Sequence, residues 1–208
     1  MKIIKPDKAK KERGIVKRMR IAVTGKMRSG KDTVGDYLVR KHNFKKFAFG
    51  DAIRSICQEL FPETLVKGKP RYLYQAVGQG MRTIETDVWI NKLFKQLNKE
   101  SPGTNLVLTD LRQQNEYMAL KQNGFIIVRV NSRLDNRIRR MNDSGDNFSM
   151  ADIKHETEQL IDSFSVDYQI NNDGTLDELY QQIEQKLREV CSSGRVQSGH
   201  GNKDEKVG

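Results

Sequence analysis

Two glycines and a lysine frame residues 25–33, and few folds accommodate the spacing G-x-x-x-x-G-K that they make. The apolar run 19–23 comes just before and predicts a buried strand, while the apolar spacing of residues 32–42 predicts a helix directly after. A strand, a tight turn and a helix N-terminus in this order aim successive backbone N–H groups at one point. We therefore expect the segment to bind the phosphates of a nucleoside triphosphate, with Lys31 between the β- and γ-phosphates.

Strands and helices are predicted to alternate along most of the chain. Apolar runs predict strands at 19–23, 45–49, 105–109, 125–130 and 166–170. Apolar residues at helical spacing predict helices at 32–42, 50–60, 71–83, 86–97, 113–123 and 175–190. Pro62, Gly68 and Pro70 predict a loop over residues 61–70. Such alternation is typical of a three-layer α/β fold, in which a parallel sheet carries helices on both faces and binds ligands at the carboxyl ends of its strands.

The charge of the chain is concentrated at its ends. Residues 1–20 carry nine Lys and Arg against two acidic residues, and the Gly- and Ser-rich residues 192–208 carry a net charge of +1. Of the total net charge of +10, about +2 remains for the body, which is not typical of a nucleic-acid platform. We expect a flexible basic leader at 1–18, a domain at 19–191 and a disordered tail at 192–208. The leader is a solubilising arm or a nucleic-acid arm, and the balanced body favours the first.

Composition also limits the compartment and the partners. Cys57 and Cys191 make neither a disulfide framework nor the spacing of a zinc site. The sequence has no apolar run of membrane-spanning length and no signal-peptide pattern. We therefore expect a cytoplasmic protein. Its expected partner is a small-molecule nucleotide, with no membrane and no nucleic acid, while a homodimer stays open.

One position departs from the usual phosphate-binding pattern. The residue after the lysine is normally Ser or Thr, whose hydroxyl binds Mg²⁺, but here it is Asp32, followed by Thr33. One interpretation is that the Asp32 carboxylate reaches the metal or interacts with the incoming nucleophile. The other is a first-turn Asp favoured by the helix dipole. Asp32, Thr33 and Asp110, which follows the predicted strand 105–109, are the candidate metal ligands.

Other motifs distinguish among classes of phosphate-binding proteins. The chain has no Asn-Lys-x-Asp motif, with which a GTPase would read its base. Asp110 is followed by Leu111 rather than by the acidic residue that activates water in motor ATPases. Arginines instead follow predicted strand ends or lie on nearby helices, at Arg54, Arg82 and Arg112. Residues 132–156 are rich in arginine and predict a lid. Cations on both sides of the predicted site indicate transfer of a phosphoryl group to a second anion.

Five groups of residues, spread over about residues 19–190, occur in the same order as in known proteins. They are Gly30-Lys31-Asp32-Thr33, Gln75-Ala-Val-Gly78 with Asp87-Val-Trp89, Thr109-Asp110-Leu-Arg112 with Glu116, His155-Glu-Thr-Glu158, and Ile170-Asn-Asn-Asp-Gly-Thr175. Together they resemble the phage deoxynucleoside monophosphate kinases, and more distantly dephospho-coenzyme A kinases and phosphomevalonate kinases. The phosphate loop is the most specific of the five groups. The other four are weak one by one, and it is their shared order that supports the resemblance.

The resemblance implies a P-loop kinase of deoxynucleotide metabolism that uses ATP and Mg²⁺. It assigns ATP binding to Gly25, Arg28, Ser29, Gly30, Lys31, Asp32, Thr33, Asn172 and Gly174. It assigns acceptor binding to Arg54, Gly78, Arg82, Trp89, Asp110 and Arg112. It assigns catalysis to Lys31, Asp32 and Arg112, and Arg137 is the candidate catalytic arginine of the lid, which matches the family in character and not position by position.

Several of these assignments have alternatives. Trp89 stacks on or shapes the acceptor site, or it packs in the core. Asn172 and Gly174 lie beside the donor base, or they belong to a strand-to-helix turn. His155 orients the lid or is an exposed polar residue.

The acceptor itself stays open, because residues 61–74 form a shorter segment than in the phage enzymes, and such kinases select their acceptor there. A (deoxy)nucleoside monophosphate is the first choice and a dephospho-coenzyme A-type substrate the second. Two alternatives change the class of protein. One is a nucleotide binder without turnover, and the other is an ATP-binding regulatory or nucleic-acid-associated protein that uses the basic leader.

Overall fold

The protein is described here by a computed structural model, which covers residues 17–66, 70–145, 153, 156–193 and 197–198. The strands are β1 (Lys17–Arg18), β2 (Arg20–Thr24), β3 (Lys45–Phe47), β4 (Leu106–Leu108), β5 (Ile126–Asn131), β6 (Tyr168–Asn171) and β7 (Gln197–Ser198). The helices are α1 (Lys31–His42), α2 (Gly50–Leu60), α3 (Pro62–Val66), α4 (Arg71–Ile84), α5 (Val88–Leu97), α6 (Gln114–Gln122), α7 (Leu134–Asp143), α8 (Glu156–Ser163) and α9 (Leu176–Ser192).

Five of the strands form one parallel sheet in the order β3-β4-β2-β5-β6. The central strand is β2, which leads into the glycine-framed loop, and its neighbours are β4 and β5. Because all five strands run the same way, the residues that follow them meet at one edge of the sheet. The predicted three-layer α/β fold is therefore confirmed.

Side chains of the central strands alternate between two apolar clusters. In β2, Ile21 and Val23 pack with residues of α1 and α9, whereas Ala22 between them packs with residues of α5, α6 and α8. In β4, Val107 belongs to the first cluster and its two neighbours to the second. This period of two is that of strands covered on both faces. Each fully buried Val or Leu contributes roughly 1.5–3 kcal/mol, so the sheet is a firm support for the loops at its edge.

A third apolar cluster joins α2, α4 and α5. Its buried members are Ala52, Ile53, Cys57, Leu73 and Trp89. Helices α2 and α4 pack on each other, and both contact α5. The cluster therefore forms a second, smaller support beside the sheet, and it carries the helices on which Arg54 and Arg82 lie.

Residues 62–66 differ from the prediction of a continuous loop, since they form α3. Pro62 is the first residue of this helix, where the missing backbone N–H leaves no hydrogen bond unmade. Proline breaks a helix in its interior but fits the first turn, so Pro62 is compatible with a helix start as well as with a loop.

The predicted lid, residues 132–156, contains the helix α7. Asn136, Arg137 and Met141 of this helix are buried, which fixes it against the rest of the domain. Residues 146–152 and 154–155, and with them the prediction for His155, lie outside the described residues. Helix α7 thus packs on the body of the domain, and the lid stays a prediction for residues 132–156.

The predicted leader and tail are described only in part, since residues 1–16, 194–196 and 199–208 lie outside the described residues. β1 pairs antiparallel with β7, with Lys17 opposite Ser198. These four residues form paired strands, and the flexible leader and the disordered tail stay predictions for the residues outside the description. None of the helices in the described part of the chain has the length and apolarity needed to cross a membrane.

Candidate active site

The loop between β2 and α1 depends on its two glycines. Gly25 and Gly30 have φ angles of 145° and 105°, which side chains rarely tolerate. A Cβ atom on Gly25 would lie 2.4 Å from the carbonyl oxygen of Val130, and one on Gly30 would lie 2.1 Å from Nδ2 of Asn172. The Oγ of Ser29 is buried and has no hydrogen-bond partner among the described residues. A tightly curled loop with an unsatisfied buried hydroxyl is suited to a polar ligand.

Lys31 begins α1 directly beneath this loop. Its side chain is buried, and its Nζ donates a hydrogen bond to the carbonyl oxygen of Lys26 at 2.9 Å. Burial, aided by the positive charge of Arg112, lowers the pKa of Lys31 to about 7. The ammonium is therefore costly to keep in the free protein, and an anion placed at the loop would stabilise it.

Asp32 is held from one side only. Its Oδ1 accepts hydrogen bonds from Nζ of Lys46 at 2.9 Å and from the Thr109 hydroxyl at 3.1 Å. Within the described residues, its Oδ2 has no hydrogen-bond partner. Partial burial acts to raise the pKa of Asp32, but the hydrogen bond and charge of Lys46 outweigh it and the pKa is lowered. Asp32 is thus an ionised, exposed carboxylate with a free oxygen, and Thr33 lies beside it in the first turn of α1.

Asp110, directly after β4, ties two strand ends together. Its Oδ1 accepts from the backbone N–H of Phe49 and its Oδ2 from that of Gly50, both at 2.9 Å. Burial raises the pKa of Asp110, although these two hydrogen bonds and the charge of Arg112 act in the opposite direction. The carboxylate therefore has a structural task at the start of α2, and each oxygen still has a second lone pair for a metal or its water.

Glu158 of α8 joins three parts of the site through one buried carboxylate. Its Oε2 accepts the backbone N–H of Met27 at 2.6 Å, and its Oε1 accepts Nη1 of Arg112 at 2.8 Å. Nη1 of Arg137 lies 3.9 Å from Oε2 and donates to the carbonyl oxygen of Met27 at 3.4 Å. The phosphate loop, Arg112 and α7 are therefore connected through a single side chain.

Arg140 and Asn172 hold the other side of the loop. Arg140 donates to the carbonyl oxygens of Arg28, at 3.3 Å, and Asn172, at 2.6 Å. Asn172 is itself buried, and its Nδ2 donates to the carbonyl oxygen of Ser29 at 2.8 Å. The amide of Asn172 is thus committed to the loop backbone. The side chain supports the loop from behind, and the place of this residue beside the donor base stays a prediction.

Asp173 fastens the start of α7. Its Oδ1 accepts from the Ser132 hydroxyl at 2.9 Å, from the Arg133 N–H at 2.8 Å and from Asn136 Nδ2 at 3.0 Å. The hydrogen bond from Asn136 is the first cause that lowers the pKa of Asp173. An ionised carboxylate at a helix N-terminus also meets the positive end of the helix dipole. The loop after β6 therefore anchors α7 on the body.

Gly174 lies in the turn that leads into α9. The Thr175 hydroxyl accepts from the Glu178 N–H at 3.2 Å, and Glu178 Oε2 accepts from the Thr175 N–H at 2.7 Å, which makes a capping box. This geometry is the strand-to-helix turn that was the alternative to a base-binding loop. A groove of about 420 Å³ opens beside Gly174, but acidic and amide side chains line it, so it does not suit a phosphate.

The arginines that were predicted to bind an acceptor each face a carboxylate. Arg54 forms an ion pair with Asp51. Arg82 lies 3.3 Å from Glu116, which is buried and whose Oε2 accepts the Arg112 N–H at 3.1 Å. Burial, and after it the charge of Asp110, raises the pKa of Glu116. These cations are thus held in place before any ligand binds.

Trp89 packs beneath the surface, and this burial favours the core position that was one of the alternatives for this residue. The indole is only 3% exposed, and its Nε1 donates to the carbonyl oxygen of Gly78 at 2.9 Å. With no ring face open, Trp89 supports α4 from inside. Gly78 lies close to Ile53 and to Arg82, since an added Cβ would contact both side chains at 3.1 and 3.6 Å. Because Gly78 has no side chain, Ile53 and Arg82 can both lie close to the backbone of α4 at this position.

The structure brings together residues that are far apart in the sequence. Lys31, Arg112 and Arg137 meet around Glu158, while Arg54 reaches Gly50 beside Asp110.

Sequence reasoning assigned no role in the site to Lys46, Asn136 or Glu158. Glu158 appeared only as part of the motif His155-Glu-Thr-Glu158, and its spacing from the loop carries no signal of contact. The lysine pair of β3, Lys45 and Lys46, gave no indication of which one faces Asp32.

A parallel sheet whose central strand delivers a glycine-framed loop and a buried lysine to a helix N-terminus defines the P-loop NTPase fold. Residues 21–161 match the model of the AAA_18 family, described as an AAA domain. The match covers more than half of the chain, and the protein belongs to this family.

Several solved structures that share the fold are kinases. A gluconokinase from Sinorhizobium meliloti 1021 has a TM-score of 0.57 at 15% identity, with 84% of this chain and 94% of that chain covered. A shikimate kinase from Acinetobacter baumannii, in complex with shikimate, has a TM-score of 0.52 at 17% identity, with 86% and 97% covered.

TT1252 from Thermus thermophilus has a TM-score of 0.52 at 20% identity, with 84% of this chain and 98% of that chain covered. At these identities the likeness concerns the fold. A comparison with curated protein sequences gives no significant match.

Proposed function

We propose that the protein is an ATP-dependent kinase, which transfers the γ-phosphoryl group to a small phosphate-bearing acceptor, with a (deoxy)nucleoside monophosphate as the first choice. The observation that carries the proposal is the junction of the phosphate loop and Arg112 on the Glu158 carboxylate. Lys31 is the cation for the donor, and Arg112 is the cation for an anionic acceptor. Both interact with the Glu158 carboxylate. The kinases that share the fold support the reaction class.

On the donor side, the chain supplies charge and shape. The loop amides and the start of α1 favour the phosphates, and the Lys31 ammonium lies under the loop. Arg137 and Arg140 reach the loop carbonyls from the opposite side and fix its shape. Preorganised charge of this kind stabilises the negative charge of a transferring phosphoryl group without rearrangement during the reaction.

On the acceptor side, the arginines orient a second anion. Arg112 is more than a third exposed although Glu158 holds one of its nitrogens, so further N–H groups remain for a phosphate. Arg54 lies on the neighbouring helix α2, and Arg82 lies on α4. Asp32 keeps an ionised oxygen on the side of α1, where it accepts a hydrogen bond or a proton from the incoming group.

The donor set also fits Mg²⁺. Asp32 has an oxygen with no partner among the described residues, Thr33 is adjacent to it, and Asp110 retains a lone pair on each carboxylate oxygen. Within the described part of the chain, no cluster of three or more His, Cys, Asp or Glu is suited to a metal. Mg²⁺ needs no such cluster, since it binds through one or two carboxylates together with substrate phosphates. When bound, it supplies positive charge to the phosphate oxygens.

A panel of acceptors tests the proposal. ADP release from ATP is measured with each nucleoside and deoxynucleoside monophosphate, with dephospho-coenzyme A and with no acceptor. We expect acceptor-dependent release with a nucleoside monophosphate. Release with dephospho-coenzyme A alone would retain the kinase and change its acceptor. Absence of acceptor-dependent release with every substrate would contradict the proposal. Salt-sensitive binding of DNA or RNA, lost on deletion of residues 1–18, would then favour the regulatory alternative.

The lowered pKa of Lys31 predicts that nucleotide binding takes up a proton. In the free protein Lys31 titrates at about pH 7, and the charge of a bound triphosphate raises its pKa. Above pH 7 the complex therefore holds more protons than the free protein, and affinity falls as pH rises, by at most about tenfold per pH unit. Calorimetry at pH 8 in two buffers of different ionisation enthalpy should report uptake of about one proton per nucleotide. Lys31→Met should abolish it, and equal heats for the unaltered protein would contradict the assignment.

A further inference from the structure

The Glu158 carboxylate lies where the donor and acceptor sides of the site meet. Its two oxygens serve different parts of the molecule: Oε2 accepts the Met27 N–H of the phosphate loop, and Oε1 accepts Nη1 of Arg112. The side chain is 3% exposed, while Arg112 is 38% exposed. One end of each contact is therefore fixed and buried, and only the arginine extends toward open space.

The charge balance around Glu158 argues against a role in phosphate binding itself. A carboxylate beside the loop repels a triphosphate, so a site selected for nucleotide affinity alone would omit it. Glu158 nevertheless lies between Arg112 and Arg137, and Nη1 of Arg137 is 3.9 Å from its Oε2. The contribution of Glu158 is therefore geometric. A buried carboxylate with two acceptor oxygens holds the two groups that donate to it, the Met27 N–H and the Arg112 guanidinium, at a set separation.

We propose that Glu158 is a positioning residue, which sets Arg112 relative to the phosphate loop and so holds the acceptor in line with the donor. This inference rests on the proposed function. Glu158 contacts neither substrate and acts through the two groups it binds. Small errors in alignment lower the rate of transfer strongly without weakening ground-state binding.

Glu158→Gln separates this role from a purely structural one. Glutamine keeps the volume but has only one acceptor oxygen, so it can satisfy Met27 or Arg112 and not both. We expect kcat to fall by about 100-fold. Removal of the negative charge should leave the affinity for a non-hydrolysable ATP analogue unchanged or raise it by up to about tenfold. A structural role would instead weaken analogue binding together with kcat, and that joint loss would overturn the proposal.

Asp162→Asn is the matched control. Asp162 lies on the same helix and pairs with Lys26 of the same loop at 2.7 Å, but both side chains are well exposed. Exposed pairs of this kind contribute little, so kcat and analogue affinity should stay within about threefold of the unaltered protein. A loss as large as that of Glu158→Gln would indicate that any contact between α8 and the loop matters, which would overturn the specific role of Glu158.

A double-mutant cycle tests the path through Arg112. In an Arg112→Met background, Glu158→Gln should change kcat by less than about threefold, because the group to be positioned is gone. Independent, multiplicative losses would overturn the proposal.

A measurement without turnover keeps the inference distinguishable from the proposed function. In NMR spectra of the nucleotide-free protein, Glu158→Gln should shift both the Met27 amide and the Arg112 guanidinium signals, and Asp162→Asn should shift the Arg112 signals not at all. Unmoved signals in Glu158→Gln would refute the positioning role even in an active kinase. If the protein had no kinase activity but the signals shifted, the proposed kinase function would be refuted. The coupling between the phosphate loop and Arg112 through Glu158 would still hold.

Discussion

Lys31→Met is expected to lower kcat for phosphoryl transfer by on the order of 10²–10³-fold and to leave the fold as stable as before or more stable. The two effects have one cause. Lys31 is buried, and its pKa is lowered mainly by burial, so the charged form opposes folding at pH values below its ordinary pKa. A methionine fills the same space without that cost, but it offers no charge to the transferring group.

The measurement pairs steady-state kinetics with thermal unfolding at pH 7. Lys41→Met is the control, because Lys41 lies in the last turn of the same helix and is exposed. It should change neither kcat nor Tm appreciably. If Lys31→Met kept its activity, Lys31 would be a core residue and the phosphate loop would lose its central role in the proposal.

Asp32→Asn is expected to lower kcat by about 100-fold or more and to change the affinity for an ATP analogue by less than about threefold. Asparagine is neutral, so it neither accepts a proton nor pairs with Lys46 as the carboxylate does. A residue that only complements the helix dipole contributes about 0.3–1 kcal/mol to stability and nothing specific to turnover. The size of the kcat effect therefore decides between the two interpretations of this position.

Asp36→Asn provides the comparison for Asp32→Asn. Asp36 lies one turn later on α1 and also accepts a hydrogen bond from Lys46, at 3.0 Å. It shares the helix and the partner of Asp32 but not the position beside the phosphate loop. We expect near-normal kcat for Asp36→Asn. Equal losses in both variants would point to Lys46 and the packing of β3, not to chemistry at Asp32.

The local features of the fold could be predicted because short-range patterns encode them. The strand before the loop, the glycines at positions 25 and 30 and the helix after Lys31 are each specified by neighbouring residues. The same holds for the buried strand β4, whose apolar run ends at Asp110. Sequence reasoning therefore found the phosphate loop and the edge of the sheet on which it lies.

Contacts between distant segments could not be predicted in this way. Glu158 lies 131 residues from Met27 and 46 from Arg112, and nothing in the local pattern of α8 distinguishes it from an exposed acid. The arginines of residues 132–156 predicted a lid, but no sequence pattern indicated that Arg137 among them is buried. A buried arginine is recognisable only once its partners are known.

The small apolar cluster beneath the acceptor side has a consequence for how the molecule moves. It buries five side chains, far fewer than either cluster that covers the sheet. A unit with so small a core opens at a lower free energy than the sheet does, so α2 and α4 should exchange their amide hydrogens well before β2 and β4. The chain thus combines a stiff part around the phosphate loop with a softer part that carries Arg54 and Arg82, the arginines proposed to bind the acceptor. Changes in acceptor preference during evolution would then concern the part whose alteration disturbs global folding least.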